Sequence, residues 1–157
     1  MEQNDNWSWG VGGVVLRDNK VLLVRHTYGP AKGQLLIPGG HVQNGEMPET
    51  AVIREILEET GITTKIKSFI GIRFQKKTWY AIFLLDYISG EPISDGNENN
   101  FAGFIPLDEA VRRDEMTGLS RLIIESVINS VAEIPLNEYF SGETRNEYML
   151  YGLGRKI

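Results

Sequence analysis

Apolar and polar residues follow one another along the chain with two different periods, and each period predicts a different kind of element. Short apolar runs that end at glycine, proline, asparagine or aspartate are typical of strands. They predict strands over residues 9–16, 21–24, 35–37, 66–74, 78–87 and 101–105. Apolar residues at helical spacing predict helices over residues 48–60, 108–113 and 119–131. Because strands lie both before and after the first helix, we expect an α/β fold with helices packed on a mixed sheet.

The segments between these elements predict turns and loops. Residues 27–34 and 90–100 are polar and glycine-containing, which indicates two loops. Residues 18–19 (Asp-Asn) are expected to form the turn between the first two strands. The short strand over residues 35–37 is expected to stop at residues 38–40 (Pro-Gly-Gly).

The helix predicted over residues 48–60 has an acidic face and an apolar face. Pro48 suits the first helical position and Gly61 a position just past the last turn. At ~100° per residue, Glu55, Glu58 and Glu59 fall within an arc of roughly 100°. The apolar side chains fall on the far side, within roughly 140°; they are Val52, Ile53, Ile56 and Leu57.

Three glutamates on one helix face repel one another, and a hard divalent cation would remove that repulsion. Ala51 lies within the acidic arc, where its small side chain is expected to leave room for an ion or a phosphate. Taken alone, however, a glutamate-rich helix face is more often plain solvated surface. The residues that flank the helix decide between these two interpretations.

The flanking residues complete a motif with fixed spacing. Glycines follow the third predicted strand, where the backbone can come close to a ligand, and an arginine lies beside the acidic arc, where its planar fork can hold a carboxylate. The motif reads Gly40, five residues, Glu46, seven residues, Arg54-Glu55-Ile56, one residue, Glu58-Glu59, one residue, Gly61-Ile62. This spacing resembles the Nudix box, the signature of the Nudix hydrolases, at every fixed position.

The resemblance to the Nudix family implies a fold and an activity. It implies a Nudix-type α/β/α sandwich with a mixed β-sheet, as one domain over residues 1–157. The resemblance itself covers about residues 9–131, and residues 132–157 form a C-terminal extension. The implied activity is a Mg²⁺-dependent pyrophosphohydrolase that cleaves a phosphoanhydride bond in a nucleoside triphosphate or another nucleoside-diphosphate-linked substrate. Mn²⁺ is an alternative cofactor, and a catalytically silent nucleotide-binding or regulatory module is the alternative function.

The resemblance also assigns roles to residues of the motif. Glu55, Glu58 and Glu59 are implied to bind or position Mg²⁺, and the carbonyl of Gly39 is implied as a further metal ligand. Metal ions lower the pKa of bound water and neutralise phosphate oxygens, which is what hydrolysis of a diphosphate requires. Which carboxylate acts as the general base varies across the family, and the sequence leaves it open.

Arg54 and Glu46 resemble orienting residues of the catalytic machinery rather than metal ligands. The planar fork of Arg54 is expected to hold Glu46 or Glu58 in place. The resemblance also implies a further acidic residue from the loop over residues 94–100. Two acids of this loop qualify as an added ligand or base, and we favour Glu98 over Asp95 for its longer side chain and its spacing before the next strand.

Residues that bind the substrate are less clearly indicated. Arg25 and Lys32 are candidates for contact with a phosphate, and Trp79 and Tyr80 are candidates for stacking on a base. Surface charge and core packing are the ordinary alternatives for such residues. The leaving group of the reaction stays open.

Composition excludes several other classes of function. The chain has 157 residues, a net charge of −5 and no cysteine, so a disulfide framework or a thiolate metal site is excluded. An acidic chain without a basic face is not expected to bind long nucleic acid, although a divalent cation would let it bind a small nucleotide. Neither a signal peptide nor an apolar run long enough for a membrane span is evident, so a cytoplasmic location is expected.

The C-terminal extension is aromatic and is therefore expected to be packed rather than free. It is expected to cover the domain or to lie across a homodimer interface, and the sequence does not choose between these. The apolar residues concerned are Tyr139, Phe140, Tyr148, Met149, Leu150 and Tyr151.

Overall fold

The computed structural model describes residues 7–130, 134–137 and 150–151, whose strands form a mixed sheet with helices on both faces. The strands are β1 Ser8–Arg17, β2 Lys20–His26, β3 Leu35–Leu36, β4 Gly39–His41, β5 Thr63–Phe74, β6 Thr78–Ser89, β7 Asn99–Pro106, β8 Ile134–Asn137 and β9 Leu150–Tyr151. The helices are α1 Pro48–Thr60, α2 Leu107–Ala110 and α3 Gly118–Ile128. The strand order is β3-β2-β1-β6-β5-β8-β9, with β4 on β1 and β7 on β2. Strands β1 and β6 are parallel and the other described pairs are antiparallel, so the predicted mixed sheet is confirmed.

Two hydrophobic cores lie on opposite faces of this sheet. On β1, Val14 packs into the core that contains Ile124 of α3. Val11 of the same strand packs into the other core, which contains Val52 and Ile56 of α1. Side chains alternate between the two faces of a strand, which is why one strand serves both cores. The result is the predicted α/β/α sandwich.

Helix α1 has the predicted bounds but a different rotation. Ala51 is fully buried and Leu57 is 48% exposed, so the expectation that Ala51 leaves room for an ion is wrong. On the side that faces β1, the side chain of Ile56 packs over Gly13. A Cβ at Gly13 would lie 2.6 Å from the Cδ1 of Ile56. The observed rotation also buries Glu59, which belongs to the predicted acidic face.

The segment expected to end the third strand forms a strand of its own. Gly39 and Gly40 belong to β4, which pairs with the first half of β1. A Cβ on Gly39 would overlap the carbonyl oxygen of Val11. Only glycine therefore allows these two backbones to lie so close together.

The remaining elements differ from the predictions mainly in length. Helices α2 and α3 are shorter than predicted, and β5 to β7 extend beyond their predicted ends. Asp18 and Asn19 form the predicted turn, with φ values of 50° and 60°. No helix among the described residues is long and apolar enough to cross a membrane.

Part of the C-terminal extension packs on the domain. Strand β8 pairs with β5 and with β9. The ring of Tyr151 lies 5.5 Å from that of Phe69 and 6.0 Å from that of Phe83, which confirms packing for this residue. The predictions for residues 139, 140, 148 and 149 concern positions outside the described residues, as does the side chain of residue 150.

Candidate active site

The glutamates of α1 lie beside the glycines of β4. The carboxylate of Glu55 covers Gly40, where a Cβ would overlap it. Glu59 is only 2% exposed and accepts a hydrogen bond from the backbone N–H of Gly39. The side chain of Glu58 is 59% exposed. Gly40 thus leaves room for the carboxylate of Glu55, and the backbone of Gly39 supplies a donor to Glu59.

Arg54 joins the acidic residues of this site. Its Nε and Nη2 donate to both carboxylate oxygens of Glu46, at 2.8 and 2.9 Å. Its Nη1 donates to Glu55 at 2.8 Å and to Glu58 at 3.2 Å. Its Nη2 also donates to the carbonyl of His41 at 3.1 Å. The predicted pairing of Arg54 with Glu46 or Glu58 is confirmed, since it binds both.

The charges of these glutamates are unequally compensated. Burial, followed by the charge of Glu55, raises the pKa of Glu59 to about 8. Burial also raises the pKa of Glu55, although the hydrogen bond from Arg54 opposes that rise. The hydrogen bonds from Arg54 lower the pKa of Glu46. Glu46 and Glu55 are thus paired with Arg54, whereas Glu59 is buried beside Glu55 without a cationic partner among the described residues.

The carboxylate oxygens of this cluster are of the kind that bind a hard divalent cation. The Oε2 atom of Glu59 is buried and has no hydrogen-bond partner within the described part of the chain. Carboxylate oxygens are the ligands that Mg²⁺ and similar ions prefer. Across residues 7–130, 134–137 and 150–151, no three acidic or histidine side chains are placed to hold an ion together. Glu55 and Glu58 are turned toward Arg54 instead, so an ion at this site would compete with that arginine.

Two loops close around the buried end of α1. The backbone N–H of Thr27 donates to the carbonyl of Glu98 at 3.0 Å, and its hydroxyl donates to the carbonyl of Asn97 at 2.6 Å. Asn99 is fully buried, and its Nδ2 donates to the backbone carbonyl of Glu59 at 2.9 Å. These bonds tie the loop before β7 to β2 and to α1, and they bring its acids to the cluster.

The two acids of this loop have different environments. An oxygen of Asp95 accepts two backbone N–H groups of its own loop, at 2.9 and 3.0 Å. Glu98 is exposed, and its charge contributes to the raised pKa of both Glu55 and Glu59. The charge of Asp95 contributes to that of Glu59. Asp95 therefore shapes the loop, whereas Glu98 is available to the cluster.

Glu98→Gln is expected to lower kcat by at least ~10-fold, because it removes a carboxylate that can serve as added ligand or base. Asp95→Asn is the matched control, since asparagine keeps the Oδ1 acceptor of the turn and loses only the charge. Steady-state rates of both variants test the assignment. If Asp95→Asn is the more damaging change, or if neither changes kcat, Glu98 does not have this role.

Of the two candidate phosphate contacts, Arg25 pairs with a glutamate outside the cluster. Nη2 of Arg25 lies 3.6 Å from Oε1 of Glu115, and its guanidinium lies 5.4 Å from the centre of the Phe101 ring. Phe101 packs against the core that contains α3, on the sheet face opposite α1. Lys32 is exposed in the loop before β3. The role of these two residues in binding substrate stays a prediction.

The two candidate aromatic residues lie on opposite faces of the sheet. Trp79 packs against the exposed rings of Trp9 and Phe74, at centroid distances of 4.7 and 5.1 Å. Tyr80 faces the other way and covers Gly12, where a Cβ would overlap its hydroxyl. Burial and the charge of Glu59 raise the pKa of Tyr80. Because neighbouring residues of a strand point in opposite directions, Trp79 and Tyr80 do not flank one base.

One aromatic pair beside the cluster has no counterpart in the sequence predictions. The rings of His26 and Tyr28 stack at 5.3 Å with an interplanar angle of 11°. Burial lowers the pKa of His26, and burial together with the charge of Glu98 raises that of Tyr28. No motif marks this pair, because its position depends on contacts between two loops distant in sequence.

Comparison with known proteins identifies the family. The NUDIX domain model matches residues 7–126. The chain therefore belongs to the Nudix hydrolase family, and the resemblance carried by residues 40–62 is confirmed.

Relatives with assigned names share part of their length with this chain. An ADP-ribose pyrophosphatase of Methanocaldococcus jannaschii is 38% identical over 104 residues, which are 62% of this chain and 61% of that protein. An NAD-capped RNA hydrolase NudC of Escherichia coli is 30% identical over 118 residues, which are 73% of this chain and 45% of that protein. The chain thus spans less than two thirds of the length of these relatives.

Solved structures of Nudix hydrolases have the same fold. A MutT NUDIX hydrolase from Burkholderia pseudomallei has a TM-score of 0.68 and 28% identity, covering 76% of this chain and 97% of that chain. A NUDIX hydrolase from Nitrosomonas europaea has a TM-score of 0.69 and 26% identity, covering 87% of this chain and 99% of that chain.

Proposed function

We propose that this chain is a Mg²⁺-dependent hydrolase that cleaves the phosphoanhydride bond of a nucleoside-diphosphate-linked substrate. The observation that carries the proposal is Glu59, a buried carboxylate with an unpartnered oxygen beside the partly buried carboxylate of Glu55. Leaving a buried polar atom without a partner costs free energy, so such an arrangement favours a bound cation.

The residues of α1 supply the proposed metal site. Glu55, Glu58 and Glu59 would hold the ion, with the carbonyl of Gly39 as a further ligand. When bound, a divalent ion activates water and neutralises phosphate oxygens, and Mn²⁺ can replace Mg²⁺ in such a site. Glu98 lies at the open side of the cluster, where it can accept a proton from the attacking water or bind an additional ion.

Arg54 positions these acids and does not bind the metal. Its bidentate contact with Glu46 fixes the guanidinium, and the fixed guanidinium holds Glu55 and Glu58 on one side of the helix. Binding of an ion would draw these two carboxylates away from Arg54. The arginine would then stay on Glu46, ready to hold the carboxylates again after the ion leaves.

The relatives favour a diphosphate-linked substrate over a triphosphate. Two relatives are named as an ADP-ribose pyrophosphatase and an NAD-capped RNA hydrolase, and ADP-ribose and NAD are both nucleoside-diphosphate-linked compounds. We therefore place small compounds of this class first and nucleoside triphosphates second. Such a substrate also suits an acidic chain that brings a cation to the phosphates.

Turnover of a substrate panel tests this function. The panel is ADP-ribose, NADH, UDP-glucose and a nucleoside triphosphate with Mg²⁺, with phosphate, pyrophosphate and nucleoside monophosphate measured separately. At least one diphosphate-linked compound is expected to release a nucleoside monophosphate, and EDTA is expected to abolish the reaction. Glu58→Gln is expected to lower kcat by ~10²-fold or more.

Glu125→Gln is the matched control, since Glu125 is an exposed glutamate of α3, away from the cluster. It is expected to leave kcat unchanged. Full activity of the parent chain in EDTA, or of Glu58→Gln with Mg²⁺, would refute the metal mechanism.

A further inference from the structure

A cavity lies on the α1 face of the sheet, beside the first turn of that helix. Its volume is about 180 Å³. Most of its lining is aromatic or aliphatic and comes from β1, β5, β6, β9 and the segment before α1. The residues that matter here are Trp9, Val42, Glu49, Trp79, Phe83 and Tyr151, and we call this cavity the Glu49 pocket.

Glu49 places one unsatisfied acceptor in this apolar cavity. Glu49 is 9% exposed, and its Oε1 accepts a hydrogen bond from the hydroxyl of Tyr151 at 3.0 Å. Its Oε2 is buried and has no hydrogen-bond partner among the described residues. A buried carboxylate oxygen without a donor is costly, so a ligand that offers an N–H group there would bind favourably. The proposed metal cluster does not use Glu49, which lies about 1.7 helical turns before Glu55.

The volume of the cavity is sufficient for one planar ring system and too small for a larger molecule. A cavity of about 150 Å³ is large enough to bind benzene, whereas sites for drug-sized molecules begin at roughly 300 Å³. The Glu49 pocket, at about 180 Å³, thus fits a planar ring system with a small substituent rather than a whole nucleotide. The rings of Trp9 and Trp79 supply flat apolar surface of the kind on which a base can stack.

The pocket is also close to the proposed metal cluster. Val42 lines it and lies two residues beyond Gly40, which the carboxylate of Glu55 covers. Two residues of extended chain span roughly 7 Å. A single molecule can therefore place a ring in the pocket while its diphosphate lies at the glutamates.

We propose that the Glu49 pocket is the base subsite of the substrate and takes a nucleobase with an exocyclic amino group, such as adenine. The ring packs against Trp79 and Phe83, and the amino group donates to Oε2 of Glu49. Hypoxanthine, which has a carbonyl where adenine has the amino group, has no donor there and is disfavoured. This subsite rests on the function proposed above, because it assigns the base of that substrate.

Binding without turnover is the first test. Trp7, Trp9 and Trp79 are the three tryptophans of the chain; two line the pocket and Trp7 packs on Trp79. Tryptophan emission therefore reports occupancy. In EDTA, AMP is expected to change this emission and to bind about tenfold more tightly than IMP, because one charge-assisted hydrogen bond distinguishes them. Glu49→Gln is expected to bind the two nucleotides about equally, because an amide can donate as well as accept.

A double variant controls for the position of Glu49 at the start of α1. An acid in the first turn stabilises a helix, so Glu49→Gln alone also removes a helix-stabilising charge. Glu49→Gln combined with Thr50→Glu restores an acid to that turn at an exposed position outside the pocket. The double variant is expected to lack the AMP preference just as the single variant does.

Turnover then separates the subsite from the proposed function. The parent chain is expected to hydrolyse ADP-ribose with about tenfold higher kcat/KM than inosine diphosphate ribose, mainly through KM, and Glu49→Gln is expected to lose this ratio. Equal ratios in the parent and in Glu49→Gln, with hydrolysis retained, would overturn the subsite and leave the proposed function standing. Binding of AMP with the expected Glu49 dependence, but without hydrolysis of any diphosphate-linked compound, would overturn the proposed function instead.

Discussion

Replacing Glu59 by glutamine is expected to lower kcat by ~10²-fold or more and to make the metal-free protein more stable near pH 8. Activity falls because Glu59 is a proposed ligand whose unpartnered Oε2 is buried. Stability rises because the neutral amide avoids the cost of holding a charge in a buried position. One substitution is thus expected to move activity and stability in opposite directions.

The pH dependence of stability follows from the direction of the Glu59 shift. The pKa of Glu59 is about 8 in the folded chain, against an ordinary value of 4.5. Between these values the folded chain keeps a proton that the unfolded chain has released. The free energy of unfolding therefore falls as pH rises through this range. The proton held by Glu59 adds to the free energy of unfolding. This stabilisation is fully present below pH 4.5 and is lost as pH rises through about 8.

Denaturant unfolding in EDTA at about pH 5 and about pH 8 measures this effect. The parent chain is expected to lose stability between the two pH values, and Glu59→Gln is expected to lose less. Added Mg²⁺ is expected to stabilise the parent chain near pH 8 and to have a smaller effect on the variant. Glu125→Gln, at an exposed position on α3, controls for loss of a carboxylate as such. Equal pH slopes for the parent chain and Glu59→Gln would contradict the prediction.

Local sequence signals predict where the helices and strands of this fold begin and end better than they predict how these elements pack together. The bounds of α1 follow from Pro48 at its start and from Gly61 after its end, and both signals act within a few residues. The packing of α1 on the sheet brings Ile56 against Gly13, a residue of β1 that is distant in sequence. Strand β4 likewise depends on how closely Gly39 approaches Val11. Neither contact leaves a periodic pattern in the sequence.

The same distinction applies to the site. The motif predicts Arg54 and its glutamates together because they lie on one helix and on the segment before it. The hydrogen bond from Asn99 to the carbonyl of Glu59 joins residues 40 positions apart. The bond from Thr27 to Asn97 joins residues 70 positions apart. Contacts between residues so far apart in sequence form only once the sheet has folded. The sequence around a single residue such as Asn99 therefore does not predict them.

The buried carboxylates suggest a reason for the arrangement around Arg54. Without an ion, several glutamates within one short segment repel one another, and an arginine that binds three of them limits that repulsion. With an ion bound, the same glutamates must be released. Under the proposed metal mechanism, Arg54 would hold these glutamates in the absence of the ion and release Glu55 and Glu58 when the ion binds.

Arg54→Lys is expected to lower kcat/KM by ~10-fold or more, although it keeps the positive charge. The Arg54 side chain is 22% exposed and that of Glu46 is 12% exposed, so the pair is largely shielded from water. An ammonium group cannot make the bidentate contact with Glu46 and at the same time reach Glu55. The loss is expected to destabilise the chain by about 1.5–3 kcal/mol, the range for hydrogen bonds to charged groups.

Arg112→Lys is the matched control for Arg54→Lys, because Arg112 makes an ion pair with Asp108 in which both side chains are more than 70% exposed. Exposed pairs of this kind contribute only about 0.3–0.5 kcal/mol, so the control is expected to change neither stability nor activity appreciably.

A titration of Mg²⁺ against activity adds a readout that a purely structural role would not change. Because Arg54 competes with the ion for Glu55 and Glu58, Arg54→Lys is expected to change the Mg²⁺ concentration at half-maximal activity as well as the rate. Parent-like rates and an unchanged Mg²⁺ requirement in Arg54→Lys would show that the guanidinium does not position these carboxylates.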